Sequence, residues 1–156
     1  MEFTRAHIPD LPELIESRMA YLHADIGAIT PAQEAETRRR LVPFFKDHLD
    51  RDLFVFCAKV NGRMVGAAYL MVYEKPFRPE CTTARYGVVF NVVTREGYRG
   101  KGIATALVRQ LVAAARDMAL ESVLLNATPS GRPIYKRLGF EEKALFDMNM
   151  VYDLTK

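Results

Sequence analysis

Arg99-Gly100-Lys101-Gly102-Ile103-Ala104 lies between a β-rich run, Tyr86 to Thr94, and an apolar-periodic segment, Ile103 to Leu120, so the local order is strand, basic glycine-rich turn, helix. Such a turn suits a phosphate. Glycine lets the main chain approach a ligand with no Cβ in the way. The first turn of a helix adds N–H groups without internal partners and the positive end of the helix dipole. Arg99 and Lys101 supply mobile positive charge.

Two widespread phosphate loops fit these residues poorly. Gly97-Tyr98-Arg99-Gly100-Lys101-Gly102 has the outer glycines of a P-loop, but Ile103-Ala104 follows where Lys-Ser/Thr should meet phosphate and magnesium. Gly100-Lys101-Gly102-Ile103-Ala104-Thr105 begins like a dinucleotide fingerprint, yet it lacks the third glycine and too little chain follows Leu120 for a doubly wound sheet.

The pattern R/Q-x-x-G-x-G/A does fit, as Arg99-x-x-Gly102-x-Ala104, and Y-x-x-x-G-F follows within Ile134-Tyr135-Lys136-Arg137-Leu138-Gly139-Phe140. Together they resemble the two ends of the cofactor half of the GNAT superfamily of N-acyltransferases. The resemblance is specific from about Val88 to Phe140 and consistent in element order over the rest. It implies an α/β fold with a mixed, mostly antiparallel sheet of six or seven strands, one splayed parallel pair and about four helices. The expected organisation is one domain over residues 1–156.

Size and composition agree with that. The chain has 156 residues, 49% hydrophobic, enough for one ordinary core. Its two cysteines, Cys57 and Cys81, have neither metal spacing nor a disulfide framework, so a reducing cytoplasm is the expected setting. Cys57 sits in an apolar run and reads as a small buried hydrophobe. There is no apolar run of about 18 residues and no basic-then-apolar leader, so a soluble protein with no membrane partner is expected. The formal charge of +3 is spread out, which gives nucleic-acid binding no support. Arg38-Arg39-Arg40 reads as the solvated side of a helix.

In chain order, Phe3 to His7 alternates as a short strand, and Asp10 is placed to cap a helix that keeps its apolar spacing to about His23, with Glu13, Glu16 and Arg18 turned to water. Gly27 ends or kinks it. Thr30-Pro31-Ala32-Gln33 starts a second helix that runs to about Leu41, is interrupted by Pro43 and resumes through Leu49. In the family these two helices line the acceptor side of the cleft. Leu53 to Val60 and Met64 to Tyr73 form a hairpin around Asn61-Gly62, and Val65-Gly66 matches the family's "xVxG" strand. Glu74 to Thr83 reads as a loop and Tyr86 to Thr94 as a central strand. A helix follows from Ile103 to about Met118, then a parallel strand from Ser122 to Ala127. A short helix holding Tyr135 ends at Gly139, and Phe140 to Lys143 with Leu145 to Leu154 form a last hairpin.

The resemblance assigns roles. Acetyl-CoA is the cosubstrate, its pyrophosphate over the main-chain N–H groups of Arg99, Gly100, Lys101, Gly102, Ile103 and Ala104, with the Thr105 hydroxyl beside them. Pantetheine runs along Val92, Val93 and Thr94 like an added strand. Tyr135 protonates the departing thiolate; a phenol near pKa ~10 matches a thiol near ~8.5 better than a carboxylic acid does. The alternative for Tyr135 is a core ring packed on Phe140. Asn91, a polar break in the apolar run, either points into the acceptor cleft or is a satisfied core amide, since an unpartnered one costs about 1 to 3 kcal/mol.

The general base is not legible. Many relatives carry a glutamate on the strand before the loop, whereas Tyr86 to Thr94 has no acid, which leaves Glu74, Glu80 or a water held by Asn91. The family's frequent asparagine ahead of the tyrosine is here Thr128, with Asn126 nearby, and the V-x-P-E lead-in is Thr94-Arg95-Glu96-Gly97, without its proline. His7, His23 and His48 show no metal spacing, and no metal is expected. The function expected is N-acetyl transfer to a small-molecule amine or an exposed amino group; a separate reading, protein lysine modification, would need a groove wide enough for a peptide. The alternative is a non-catalytic acyl-CoA-binding or sensing domain. A homodimer is expected by analogy alone.

Overall fold

The computed structural model describes residues 1–142. Its elements are β1 (Glu2–Arg5), a 3-10 turn (Ile8–Asp10), α1 (Leu11–Ile26), α2 (Pro31–His48), β2 (Leu53–Val60), β3 (Arg63–Glu74), β4 (Arg85–Thr94), α3 (Ile103–Asp117), β5 (Ser122–Leu125) and α4 (Arg132–Arg137). Among the described residues the strands form a five-stranded sheet in chain order, antiparallel from β1 to β4, with β5 parallel to β4. Of the hairpin expected from Phe140 to Leu154, residues 140–142 are described and are not in a strand; the rest of that expectation lies outside the described residues.

Local chemistry explains most boundaries. Asn61 and Gly62 both take positive φ, 49° and 76°, as the two-residue turn between β2 and β3 requires. Thr30 Oγ accepts the Gln33 N–H at 3.3 Å, and Gly27, at φ 78°, ends α1. Pro43 does not interrupt α2, which is continuous from Pro31 to His48. A proline leaves unbonded the carbonyl four residues back. Here that residue is the exposed Arg39, whose oxygen water can reach.

The sheet is covered on both faces. Leu14, Phe45, Val55, Cys57, Ala67 and Tyr69 pack toward α1 and α2, while Ala68, Leu70, Val89, Ile103, Leu107 and Leu111 pack toward α3. A Cβ on Gly66 would stand 2.7 Å from Ile103 Cγ2, so the glycine of the Val65-Gly66 pair is what lets α3 lie close on β3. Burial of Cys57 holds its thiol at about 11, which makes it a core hydrophobe with no thiolate at neutral pH.

Two residues expected to face water do not. Glu13 accepts the Met64 N–H at 2.8 Å, and Arg18 reaches across to Asn91 of β4. Glu16 stays half exposed and is paired with Arg38 of α2 at 2.5 Å.

Candidate active site

β4 and β5 pair only along Tyr86–Val89 and Ser122–Leu125. Beyond Val89, β4 continues to Thr94 while β5 stops at Leu125, so the parallel pair opens into a gap. A bulge begins where the pairing stops. Tyr69 faces Phe90 and Ala67 faces Val93, which leaves Asn91 and Val92 opposite Ala68 alone. Asn91 takes φ 51°, a left-handed conformation that asparagine tolerates better than its branched neighbours. After the bulge Arg95 N–H returns to Val65 O at 2.9 Å, so strand alternation turns the main chain of Thr94 the other way, toward the gap.

The gap meets the glycine-rich turn. Gly97, Gly100 and Gly102 have φ of 78°, 74° and 75°, and no atom lies within 4 Å of where a Cβ would stand on any of them. Gly102 caps α3 without a side chain, so the N–H groups of Ile103, Ala104 and Thr105 are left without a capping partner; the first bond of the helix is Ala106 N–H to Gly102 O, at 3.0 Å. Uncapped N–H groups, open space beside the glycines and two cations make a cradle that fits a diphosphate. The cations are less mobile than expected. Arg99 Nε donates to Thr94 O at 3.2 Å, and Lys101 Nζ sits 5.1 Å over the Tyr98 ring.

α1 packs against β4, and its Tyr21 is close to Tyr135 of α4. The buried Asn91 accepts at Oδ1 from Arg18 Nη1 at 3.0 Å, and its Nδ2 has no acceptor among the described residues. The Arg18 guanidinium lies 5.2 Å over the Tyr21 ring. Tyr135, on α4, packs edge-on against Phe140 at 5.8 Å, and burial, with the Tyr21 phenol close by, pushes its own phenol above the ordinary tyrosine value. It therefore keeps its proton at neutral pH.

The profile of the acetyltransferase (GNAT) family matches residues 15–140, a span that takes in the split strands, the glycine turn and Tyr135. The chain belongs to that family. Over 86 residues it is 35% identical to glucosamine 6-phosphate N-acetyltransferase of Trypanosoma brucei brucei, a stretch that is 55% of this chain and 56% of that one. Over 108 residues it is 34% identical to N-alpha-acetyltransferase of Sulfurisphaera tokodaii, 64% of each chain. The chain thus spans less than two-thirds of these relatives' length. Among solved structures, a predicted acetyltransferase from Clostridium acetobutylicum, crystallised with acetyl-CoA, superposes with a TM-score of 0.82 at 25% identity, covering 99% of this chain and 96% of that one.

Within this GNAT sheet, the expected cofactor residues Val92, Val93 and Thr94 lie on the part of β4 beyond its pairing with β5, and residues 99–105 span the glycine-rich turn and the start of α3. Asn91 lies on β4 next to Val92, and Tyr135 lies on α4. Two candidate bases lie elsewhere. Glu74 faces Arg85 at the start of β4, about 20 Å of strand from Asn91. Glu80 is an exposed loop residue paired with Arg78. The Asn91 amide oxygen is taken by Arg18, while its buried Nδ2 has no acceptor among the described residues. Thr128 accepts the Gly131 N–H and so serves the turn into α4, while Asn126 is exposed. The histidines pair on the surface with Asp50, Glu34 and Asp52, and the described residues contain no metal-holding cluster.

The GNAT pattern did not reveal Arg18 and Tyr21. Their one sequence signal is spacing: three residues apart on a helix, they share a face. Nothing local shows that this face crosses β4.

Proposed function

We propose that this chain is an N-acetyltransferase that moves the acetyl group of acetyl-CoA directly to a primary amine of a small molecule or to an exposed amino group. The observation that carries this is the gap opened by the Asn91 bulge, running straight into the uncapped N-terminus of α3. Acetyl-CoA, when bound, supplies an activated thioester carbonyl.

The residues divide the remaining work. The N–H groups of 99–105 and the Lys101 and Arg99 cations hold the diphosphate, and the free edge of Val92 to Thr94 guides the extended arm. Main-chain N–H groups on that edge stabilise the developing oxyanion. As the amine nitrogen bonds to the carbonyl carbon and the carbon–sulfur bond breaks, Tyr135 gives its proton to sulfur; the amine's surplus proton leaves to water. No carboxylate on β4 takes it, so a substrate amine that is already neutral reacts fastest. Asn91 acts by shaping the strand and by holding Arg18 at the acceptor side.

Turnover of acetyl-CoA with a panel of amines tests this. Tyr135→Phe is expected to lower kcat about 100-fold while leaving coenzyme A affinity unchanged. Tight coenzyme A binding with no turnover on any amine would instead favour the sensing domain.

A further inference from the structure

Arg18 differs from the other part-buried basic side chains among the described residues. Other part-buried basic side chains are matched by carboxylates: Lys59 with Asp10 at 2.5 Å, Arg38 with Glu16 at 2.5 Å, Arg95 with Glu13 at 3.8 Å. Arg18 is equally part-buried, yet its partners are the Asn91 amide oxygen and the face of the Tyr21 ring, both neutral. Among the described residues no carboxylate balances it. A guanidinium has five N–H donors and no acceptor, and it does not lose its charge, so withdrawing it from water without an anion is costly.

Its setting is rigid. Arginine can only donate, so the bond from Nη1 fixes which end of the Asn91 amide faces it. Asn91 in turn is fixed by the bulge, and the Tyr21 ring holds the guanidinium from the helix side. The head group is thereby held between the point where β4 leaves β5 and the Tyr135 phenol that Tyr21 approaches.

From this we infer that Arg18 is a specificity residue for the acceptor, and that the acceptor is an amine that also carries an anionic group, a phosphate or a carboxylate, which pairs with the free edge of the guanidinium. The inference rests on the acetyl transfer proposed above. A fixed cation beside the reacting amine repels polyamines and lysine-like acceptors, and it attracts an amine whose own anion can neutralise it. It also disfavours the protonated ammonium, which suits a site without a strand carboxylate.

Matched acceptors read this directly. The full chain would be assayed with acetyl-CoA on glucosamine 6-phosphate against glucosamine, on glycine against glycinamide, and on spermidine. The expected result is a kcat/KM at least about 10-fold higher for the anionic member of one pair, a loss that falls mainly on KM when the anion is missing, and spermidine the poorest acceptor. Which pair responds tells phosphate from carboxylate. Arg18→Gln should bring that ratio close to unity, and Arg18→Lys, which keeps charge but not the fork, should restore part of it.

Equal rates for both members of each pair in the wild-type protein, or a preference that survives in Arg18→Gln, overturns the inference. If no amine is acetylated, acetyl transfer itself fails, and calorimetry in the presence of coenzyme A reads the anion site alone. Binding of either anionic amine that weakens about 10-fold in Arg18→Gln then sustains the inference; no difference between the two proteins ends it.

Discussion

Asn91 shows how much one residue settles at this site. Its left-handed φ makes the bulge, the bulge parts β4 from β5, and its side chain holds Arg18. Two substitutions separate backbone from side chain. Asn91→Gly keeps the positive φ without strain but loses the Arg18 bond, the packing of the buried side chain and some backbone restriction, a cost of about 1 to 2 kcal/mol. Asn91→Val loses that bond and forces a β-branched residue into the left-handed region, for a total of about 2 to 3 kcal/mol. Urea unfolding of both variants measures the gap between them. Equal destabilisation would mean that asparagine is not there for its backbone.

At the scale of elements, the turn into α3 was readable because everything it does is local: three glycines, two cations and a helix start within a few residues. The Asn61-Gly62 hairpin and the Thr30 cap were readable for the same reason. What stayed hidden depended on elements meeting in space. Arg18 and Asn91 are 73 positions apart, and only the crossing of α1 over β4 joins them. Likewise the Glu121 carboxylate accepts the N–H groups of Thr82, Thr83 and Ala84, pinning the loop before β4 to the start of β5, a contact that no sequence pattern carries. The interruption expected at Pro43 does not occur, because the carbonyl that this proline strands, on the exposed Arg39, can find water. The legible turn makes its own test. Gly102→Asp places a good capping side chain at the N-cap of α3, where its carboxylate can take the N–H groups meant for phosphate. Unfolding stability should stay within about 1 kcal/mol of the wild type, since capping offsets the cost of a positive φ. Coenzyme A affinity measured by calorimetry should fall at least about 100-fold. Undiminished affinity would place the diphosphate elsewhere.

Over the whole molecule, acids tie the helices to the sheet and to one another. Burial works to raise the Asp10 carboxyl, but the Lys59 ammonium and the His7 N–H outweigh it and hold it below the usual aspartate value; Lys59, on β2, is correspondingly raised. Arg38 bonds hold Glu16 low, joining α1 to α2, and the Thr83 N–H does the same for Glu121. Each of these carboxyls binds a proton less readily in the folded chain than in the unfolded one. Their contribution is therefore complete above the ordinary carboxylate range and is lost as pH falls through the lowered folded values. Lys59 works with the opposite sign: its share is present below the ordinary lysine value and goes only as pH rises through its raised one. The expected profile of urea midpoint against pH is flat from about 6 to 9 and drops below about 4.5. Asp10→Asn should lower the plateau and shallow the acid limb, because one of the protons taken up on acid unfolding is gone. A midpoint at pH 3.5 equal to that at pH 7, or an acid limb as steep in Asp10→Asn as in the wild type, would mean that apolar burial alone seats α1 on the sheet.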